Sequence, residues 1–293
     1  MDCIWRAVSL GGISRVPPPI LQVGGSGYNA ATAFKRAGFQ AILFGSVGTD
    51  QNGDLILAST AKQGLTTFVT RHASKPTGTC NLVYFEGDKH LRSVFYPHPN
   101  ANVYDIGALR KALHSATLRA DDLIFSPFHL FEQLDHSQHR CREFLHTLTE
   151  AGSRIIIDLV PHTLYEYLTA DELHGMIGGP IYMFIGEYHT FLGLLGRRPS
   201  SDMLSPTSTE CELVARTFHA DYFLCRYGVG NISQQLVFHS AAGQLVYAGR
   251  PTSTGYEELS AGDRCGFGDR LTAETLRTIL ESTSATPMER SSQ

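Results

Sequence analysis

Long apolar runs are missing from this 293-residue chain. No stretch approaches the ~18 residues that a membrane-spanning helix needs. Met1 to Arg15 carries Asp2 and only a short apolar stretch, which does not fit a secretory leader. Paired cysteines are missing as well. Cys3, Cys80, Cys141, Cys211, Cys225 and Cys265 are scattered without a Cys-x-x-Cys, which argues against a disulfide scaffold or zinc ribbon. Reduced thiols and a cytoplasmic setting are the expectation. An excess of positive charge is absent, the formal net charge being −4, so nothing favours nucleic acid or an anionic membrane as partner. There is no Gly-Lys-Ser/Thr, hence no Walker A loop, and no metalloprotease or zinc-finger pattern. Repeats and low-complexity tracts are lacking too. Only the Ser/Thr/Pro-rich residues 282–293 are compositionally odd, and they are predicted to form a disordered tail.

What is present is a glycine run, Gly24-Gly25-Ser26-Gly27-Tyr28-Asn29, followed by Gly38 and Gly48. Glycines strip side chains from the backbone and let a ligand approach main-chain groups. Asn29 can both donate and accept hydrogen bonds, which suits a hydroxyl-rich small molecule. Residues 30–37 read as a helix stopped by Gly38, and 40–45 as a buried strand. Further apolar strands are predicted at 122–126, 154–158, 181–185 and 221–225, with helices at 138–151 and 209–219 between them. Such alternation predicts an α/β fold, a mostly parallel central sheet with helices on both faces. Residues 79–85 and 91–96 flank Glu86-Gly87-Asp88-Lys89 and predict a β-hairpin. Near the other end, Gly266-Phe267-Gly268-Asp269 opens a convincing helix through Leu280. Amides at a helix start, with the dipole behind them, suit an anion.

The run with its spacing to Gly38 and Gly48, Val47 to Gly53, Gln63-Gly64-Leu65, Pro76-Thr77-Gly78-Thr79 and the segment Asp263 to Asp269 together resemble the PfkB carbohydrate kinases. The resemblance spans nearly the whole chain. It implies a ribokinase-like fold with a small β-sheet lid, and ATP- and Mg²⁺-dependent phosphorylation of a hydroxyl on a sugar or nucleoside. It divides the chain into an α/β body (22–78 and 102–281) and a lid (3–21 and 79–101) that could also form a homodimer contact.

By the same resemblance Asp269 is the base, and the amides of Gly266, Phe267 and Gly268 form the anion hole. Asp2, Gly24, Gly25, Gly27 and Asn29 bind substrate. Arg226 and Gly228, after a strand, lie in the segment that contacts ATP phosphates, although an exposed, solvated Arg226 stands as the other reading. Asp50 reads as a turn cap.

Four departures from the family pattern matter. Asp2 falls where the first strand should already have ended, as if the chain were shortened at its start. The place of the Asn-x-x-Glu motif, tied to Mg²⁺ and phosphate, reads Gly186-Glu187-Tyr188-His189, which leaves Glu187 as the metal candidate. Arg264 and Phe267 stand where small residues are usual. After Leu280 a mostly polar stretch stands where the family completes an adenine pocket. Two functional readings therefore stay open: a sugar or nucleoside kinase, and a noncatalytic relative that binds such a ligand, or a partner, without turnover.

Overall fold

The structure, a computed structural model, describes residues 1–8, 17–85, 92–95, 106–119, 122–128, 131, 138–150, 153–177, 179–197, 206–229, 232–240, 243–249 and 266–284. The hairpin turn at 86–89, the segment Asp263-Arg264-Cys265 and most of the polar tail lie outside these residues.

The principal sheet has six strands. β7 (Leu123–Pro127), β8 (Arg154–Asp158), β9 (Ile181–Glu187) and β10 (Ala220–Val229) run parallel, and β11 (Ile232–His239) and β12 (Gln244–Gly249) continue antiparallel, in the order β12-β11-β10-β9-β8-β7. All four parallel strands were foreseen from their apolar runs. Alternation along β8 explains why both faces must be covered. Ile155 and Ile157 face one core and Ile156 the opposite one, all at most 1% exposed.

The larger core lies under α3 (Ile106–Ala116), α4 (Gln138–Thr149), α5 (Ala170–Ile177), α6 (Tyr188–Leu194) and α7 (Ser208–Phe218). On the other face, α1 (Ser26–Arg36) and α8 (Phe267–Ser284) pack together, and Phe34 and Leu276 reach the second core. Ala33, Ala37 and Ala273 form the seam between these helices, and such small side chains permit close approach. Residues 282–284 thus close α8 instead of joining the tail, because the helix carries on past Leu280 through polar residues.

A separate four-stranded sheet corresponds to the expected small β sheet. Its order is β2-β1-β5-β6, with β1 (Asp2–Val8), β2 (Ile20–Gln22), β5 (Cys80–Phe85) and β6 (Arg92–Phe95). The hairpin strands pair antiparallel in the register Asn81↔Phe95 to Tyr84↔Arg92. One feature departs from a single central sheet. β3 (Ile42–Gly48) and β4 (Thr66–His72) pair parallel in a two-stranded sheet of their own. Among the described residues no strand joins β3 to β7. α1 packs on both, and Phe34 meets Phe125 with ring centroids 6.1 Å apart. The apolar start of β3, Ile42-Leu43-Phe44, is consequently only half-buried.

Asp50 caps α2 (Gln51–Lys62) as expected for a turn residue. Its carboxylate accepts from the Gly53 N–H at 2.8 Å, the Thr77 N–H at 2.7 Å and the Thr77 hydroxyl at 2.6 Å. These bonds, the Thr77 hydroxyl first, hold its carboxyl below the usual range.

Candidate active site

Parallel sheets present their ligand sites at the carboxyl ends of the strands. Here that edge carries charge on three neighbouring strands: Asp158 ends β8, Glu187 ends β9, and Arg226 is paired with Glu187 at the last step of the β9–β10 ladder. Arg226 is only 6% exposed. Its Nη2 donates to Asp158 Oδ1 at 2.8 Å, its Nε to Glu187 Oε1 at 3.0 Å, and its Nη1 to the Thr272 hydroxyl of α8 at 3.4 Å. Burial opposes the guanidinium charge, but Asp158, Glu187 and Asp269 outweigh it and hold Arg226 firmly ionised. The solvated alternative for Arg226 is corrected by this geometry, since its three nitrogens point inward to protein acceptors.

The start of α8 sits over this cluster. Gly266 has φ +75°, a left-handed conformation that favours glycine, and its carbonyl accepts from the Arg270 N–H at 3.0 Å. Gly268 lies so close that a Cβ there would stand 3.3 Å from Arg226 Nη1. Phe267 is buried, with the Arg270 guanidinium 5.6 Å from its ring centroid. Asp269, half-buried in the first helical turn, has its carboxyl pushed up to about 7. Burial is the main cause, the Asp158 carboxylate adds to it, and Arg226 works against both. First-turn amides have no carbonyl partner within their own helix, so this turn offers N–H groups beside a carboxyl poised near neutrality.

The glycine run reaches the same place from the other side. A Cβ built on Gly266 would meet the Asn29 side chain at 3.1 Å, which puts Asn29 directly against the turn that opens α8. A Cβ on Gly24 would overlap the Asp2 carboxylate, so a larger residue there requires that side chain to move. Asp2 itself is 5% exposed, and burial raises its pKa, opposed by the Met1 ammonium and a hydrogen bond from Gln22. Gly25, at φ +99°, caps α1 with open space around it, and Gly27 lies against Leu43. A continuous path thus links Asp2, Gly24, Asn29, Gly266, Gly268, Arg226 and Asp158, and it brings together the two motifs from opposite ends of the sequence. Gly228 stands apart from it along the chain, paired with Ser233 on β11 beyond the last β9 pair.

Glu187 Oε1 already faces a cation of the protein's own, Arg226. Burial alone would raise its pKa, yet Arg226, His162 and His189 hold it below the usual range. His162 Nε2 lies 3.9 Å from Glu187 Oε1, and burial keeps both imidazoles below their ordinary pKa despite that carboxylate. Among the described residues no group of three or more His, Cys, Asp or Glu could hold a metal. With Oε1 bonded to Arg226 and two imidazoles alongside, Glu187 sits among nitrogen groups and a fixed positive charge, a setting that does not fit the oxygen-rich shell magnesium prefers.

Several members of the site escaped sequence reasoning. Asp158 closes the predicted strand 154–158, and its place at the carboxyl edge of a parallel sheet was the available signal. Gln235, 0% exposed on β11, anchors α8: with its amide suitably oriented, its nitrogen donates to the Leu271 carbonyl at 3.3 Å and the Thr275 hydroxyl at 2.6 Å, and its oxygen accepts from the Thr272 N–H at 3.1 Å. Nothing in the sequence marked it.

Residues 5–126 match the family described as pfkB family carbohydrate kinase. A curated relative, the bifunctional protein HldE of Chromohalobacter salexigens, is 28% identical over 188 residues, 61% of this chain and 37% of that protein. The chain thus spans well under half the length of that relative. Among solved structures, a ribokinase from Giardia lamblia superimposes with TM-score 0.72 at 17% identity, over 98% of this chain and 81% of that one. Phosphofructokinase-2 from Escherichia coli in complex with fructose-6-phosphate gives 0.65 at 14%, over 96% and 84%. An adenosine kinase from Anopheles gambiae gives 0.65 at 16%, over 90% and 77%. At these identities the likeness establishes the ribokinase-like fold.

Proposed function

We propose that this chain, ribokinase-like in fold and matched by the pfkB family carbohydrate kinases over residues 5–126, transfers the γ-phosphoryl group of ATP to a hydroxyl of a sugar or nucleoside. The observation that carries it is the half-buried Asp269, its carboxyl near 7, in a glycine-opened helix turn that touches Asn29. A base is most effective when its pKa lies near the working pH, and such a base contributes about 10²–10⁴ in rate.

Asp2, the Gly24–Gly27 backbone and Asn29 would bind the acceptor hydroxyls. Asp269 would take the proton from the reacting hydroxyl as its oxygen forms a bond to the γ-phosphorus and the bond to the ADP oxygen breaks. Charge building on the moving phosphoryl group would be met by the amides of Gly266, Phe267 and Gly268 at the helix start. Gly228 would lie along the nucleotide. Magnesium would arrive with the nucleotide phosphates, and no step is assigned to a protein-held ion. A homodimer through the smaller sheet is part of the same proposal, supported by Ile20 (38% exposed) and Leu21 (65% exposed) on its edge strand β2. So is a cytoplasmic setting, in which the buried thiols of Cys141, Cys211 and Cys225 would stay reduced.

A second reading, a noncatalytic sugar or nucleoside binder, is favoured by one observation: the carboxylate expected near metal, Glu187, is tied to Arg226. Calorimetric titration with Mg-ATP, followed by a sugar and nucleoside screen for ADP release, separates the two. Binding plus turnover that falls at least ~10²-fold in Asp269→Asn supports the kinase. Acceptor binding without turnover supports the binder. No Mg-ATP binding by the folded chain rejects the kinase.

A further inference from the structure

Among the described residues, the charges around Asp269 come from β8, β9, β10 and α8 itself. Asp158 from β8 and Arg226 from β10 act on it directly. Glu187 from β9, with His162 and His189 beside it, acts one step further away, through Arg226. Arg270 is its neighbour on α8, over the Phe267 ring. Within this set one buried guanidinium spans three elements, bonding the ends of β8 and β9 and the first turns of α8. It also lies against the backbone of Gly268, the residue before the proposed base. Each of the two strand-end carboxylates gives it one oxygen, Asp158 Oδ1 and Glu187 Oε1.

From this geometry we infer that Arg226 is the site's own fixed cation and a positioning residue for Asp269, with Glu187 serving as its anchor and not as a metal residue. Planar, forked and always charged, a guanidinium suits this place better than an ammonium, because it satisfies carboxylates on two strands and a helix hydroxyl at once. The cation is thus built into the fold: it cannot be chelated away, and it keeps the first turn of α8 at a set height above the sheet. Its catalytic meaning rests on the kinase proposal, but its electrostatic effect on Asp269 does not.

The test follows the Asp269 carboxyl directly, by carbon NMR of aspartate-labelled full chain across pH, with the signal assigned by its loss in Asp269→Asn. Asp158→Asn removes a like charge and should lower the Asp269 midpoint. Arg226→Gln removes the opposite charge and should raise it, each by about one unit or more. Opposite movements are a signature that loosened packing would not give. Unchanged midpoints, or movements of the same sign, overturn the inference. Where Arg226→Gln fails to fold, Arg226→Met in a Glu187→Gln background leaves fewer unpaired charges and replaces it: a midpoint raised above that of Glu187→Gln alone supports the inference and an unchanged one overturns it. Magnesium chloride without nucleotide should leave the Asp269 signal of the wild-type chain and of Glu187→Gln unmoved. A magnesium response in wild type that Glu187→Gln abolishes overturns the anchor assignment. Failure of Mg-ATP binding, measured separately, would remove the kinase proposal while leaving these outcomes readable.

Discussion

Asp269 holds a carboxyl near 7 only because the folded protein half-buries it beside Asp158. An aspartate in an unfolded chain titrates near ~3.9. The folded value is the higher one, so neutral Asp269 contributes stability that is complete below ~pH 4 and lost as pH rises through about 7. Asp269→Asn, neutral at every pH, should therefore be more stable than the unmodified chain, by about 1–3 kcal/mol at pH 8, allowing for the part of the group that water still screens. That advantage should shrink towards zero by ~pH 3, below the unfolded value, where the wild-type carboxyl is mostly neutral in both states. Denaturant unfolding of both proteins at the two pH values checks this, and an advantage independent of pH would mean that Asp269 is not perturbed. Gly24 offers a second residue-scale expectation. Gly24→Ala forces the buried Asp2 carboxylate aside, at a cost of roughly 1–3 kcal/mol of stability, and should weaken acceptor binding. Asp2→Ala in the same chain should restore stability but not binding, because the overlap is relieved while the carboxylate is gone. Thermal melts and acceptor titrations of the single and double variants would separate the two effects.

At the scale of elements, α8 is placed by what it touches: the alanine seam with α1 on one side, Arg226 and Gln235 on the other. Ala273, 0% exposed, has no room to grow, so Ala273→Leu should cost about 1–3 kcal/mol and displace the first turn of the helix. Mg-ATP affinity should fall with it, and unchanged affinity alongside lowered stability would show that the turn is held by Arg226 and Gln235 alone. How much of this was legible in the sequence follows from distance along the chain. The glycine run, the capped helices and the apolar strands are local patterns, and each element they implied is there. Asp269 was legible because Gly266 to Asp269 is contiguous. The pairing of Arg226 with Asp158 was not, because 68 residues separate them and only the ladders β8–β9–β10 bring them together. Gln235 was hidden for another reason: a glutamine in a strand reads as solvent-facing until a helix is seen to cover it. Glu187 was read with its family role, and the neighbouring guanidinium that occupies it could not be inferred from its own segment.

For the whole molecule, the described sheet strands fall into unequal groups. β8, β9 and β10 each have a ladder on both sides and helices over both faces. β3 and β4 share a single ladder, and the parallel strand β3 is half-buried although its sequence is apolar. Phe44 stacks on Phe68 at 5.4 Å and packs against the larger core, so the pair is attached to the body by side chains and by α1, with no strand ladder to the principal sheet among the described residues. Backbone amides whose hydrogen bonds lie in thinly covered structure open locally at less than the global unfolding free energy. Hydrogen exchange without ligand should therefore be markedly faster in β3 and β4 than in β8 to β10. α1 begins at the proposed acceptor site and packs on both β3 and β7, so a bound acceptor that holds Asn29 should slow exchange in β3 more than in β9. Equal protection of the two sheets without ligand would mean that side-chain packing alone makes them one cooperative unit. A ligand that slows β9 but leaves β3 unchanged would place the acceptor away from the glycine run.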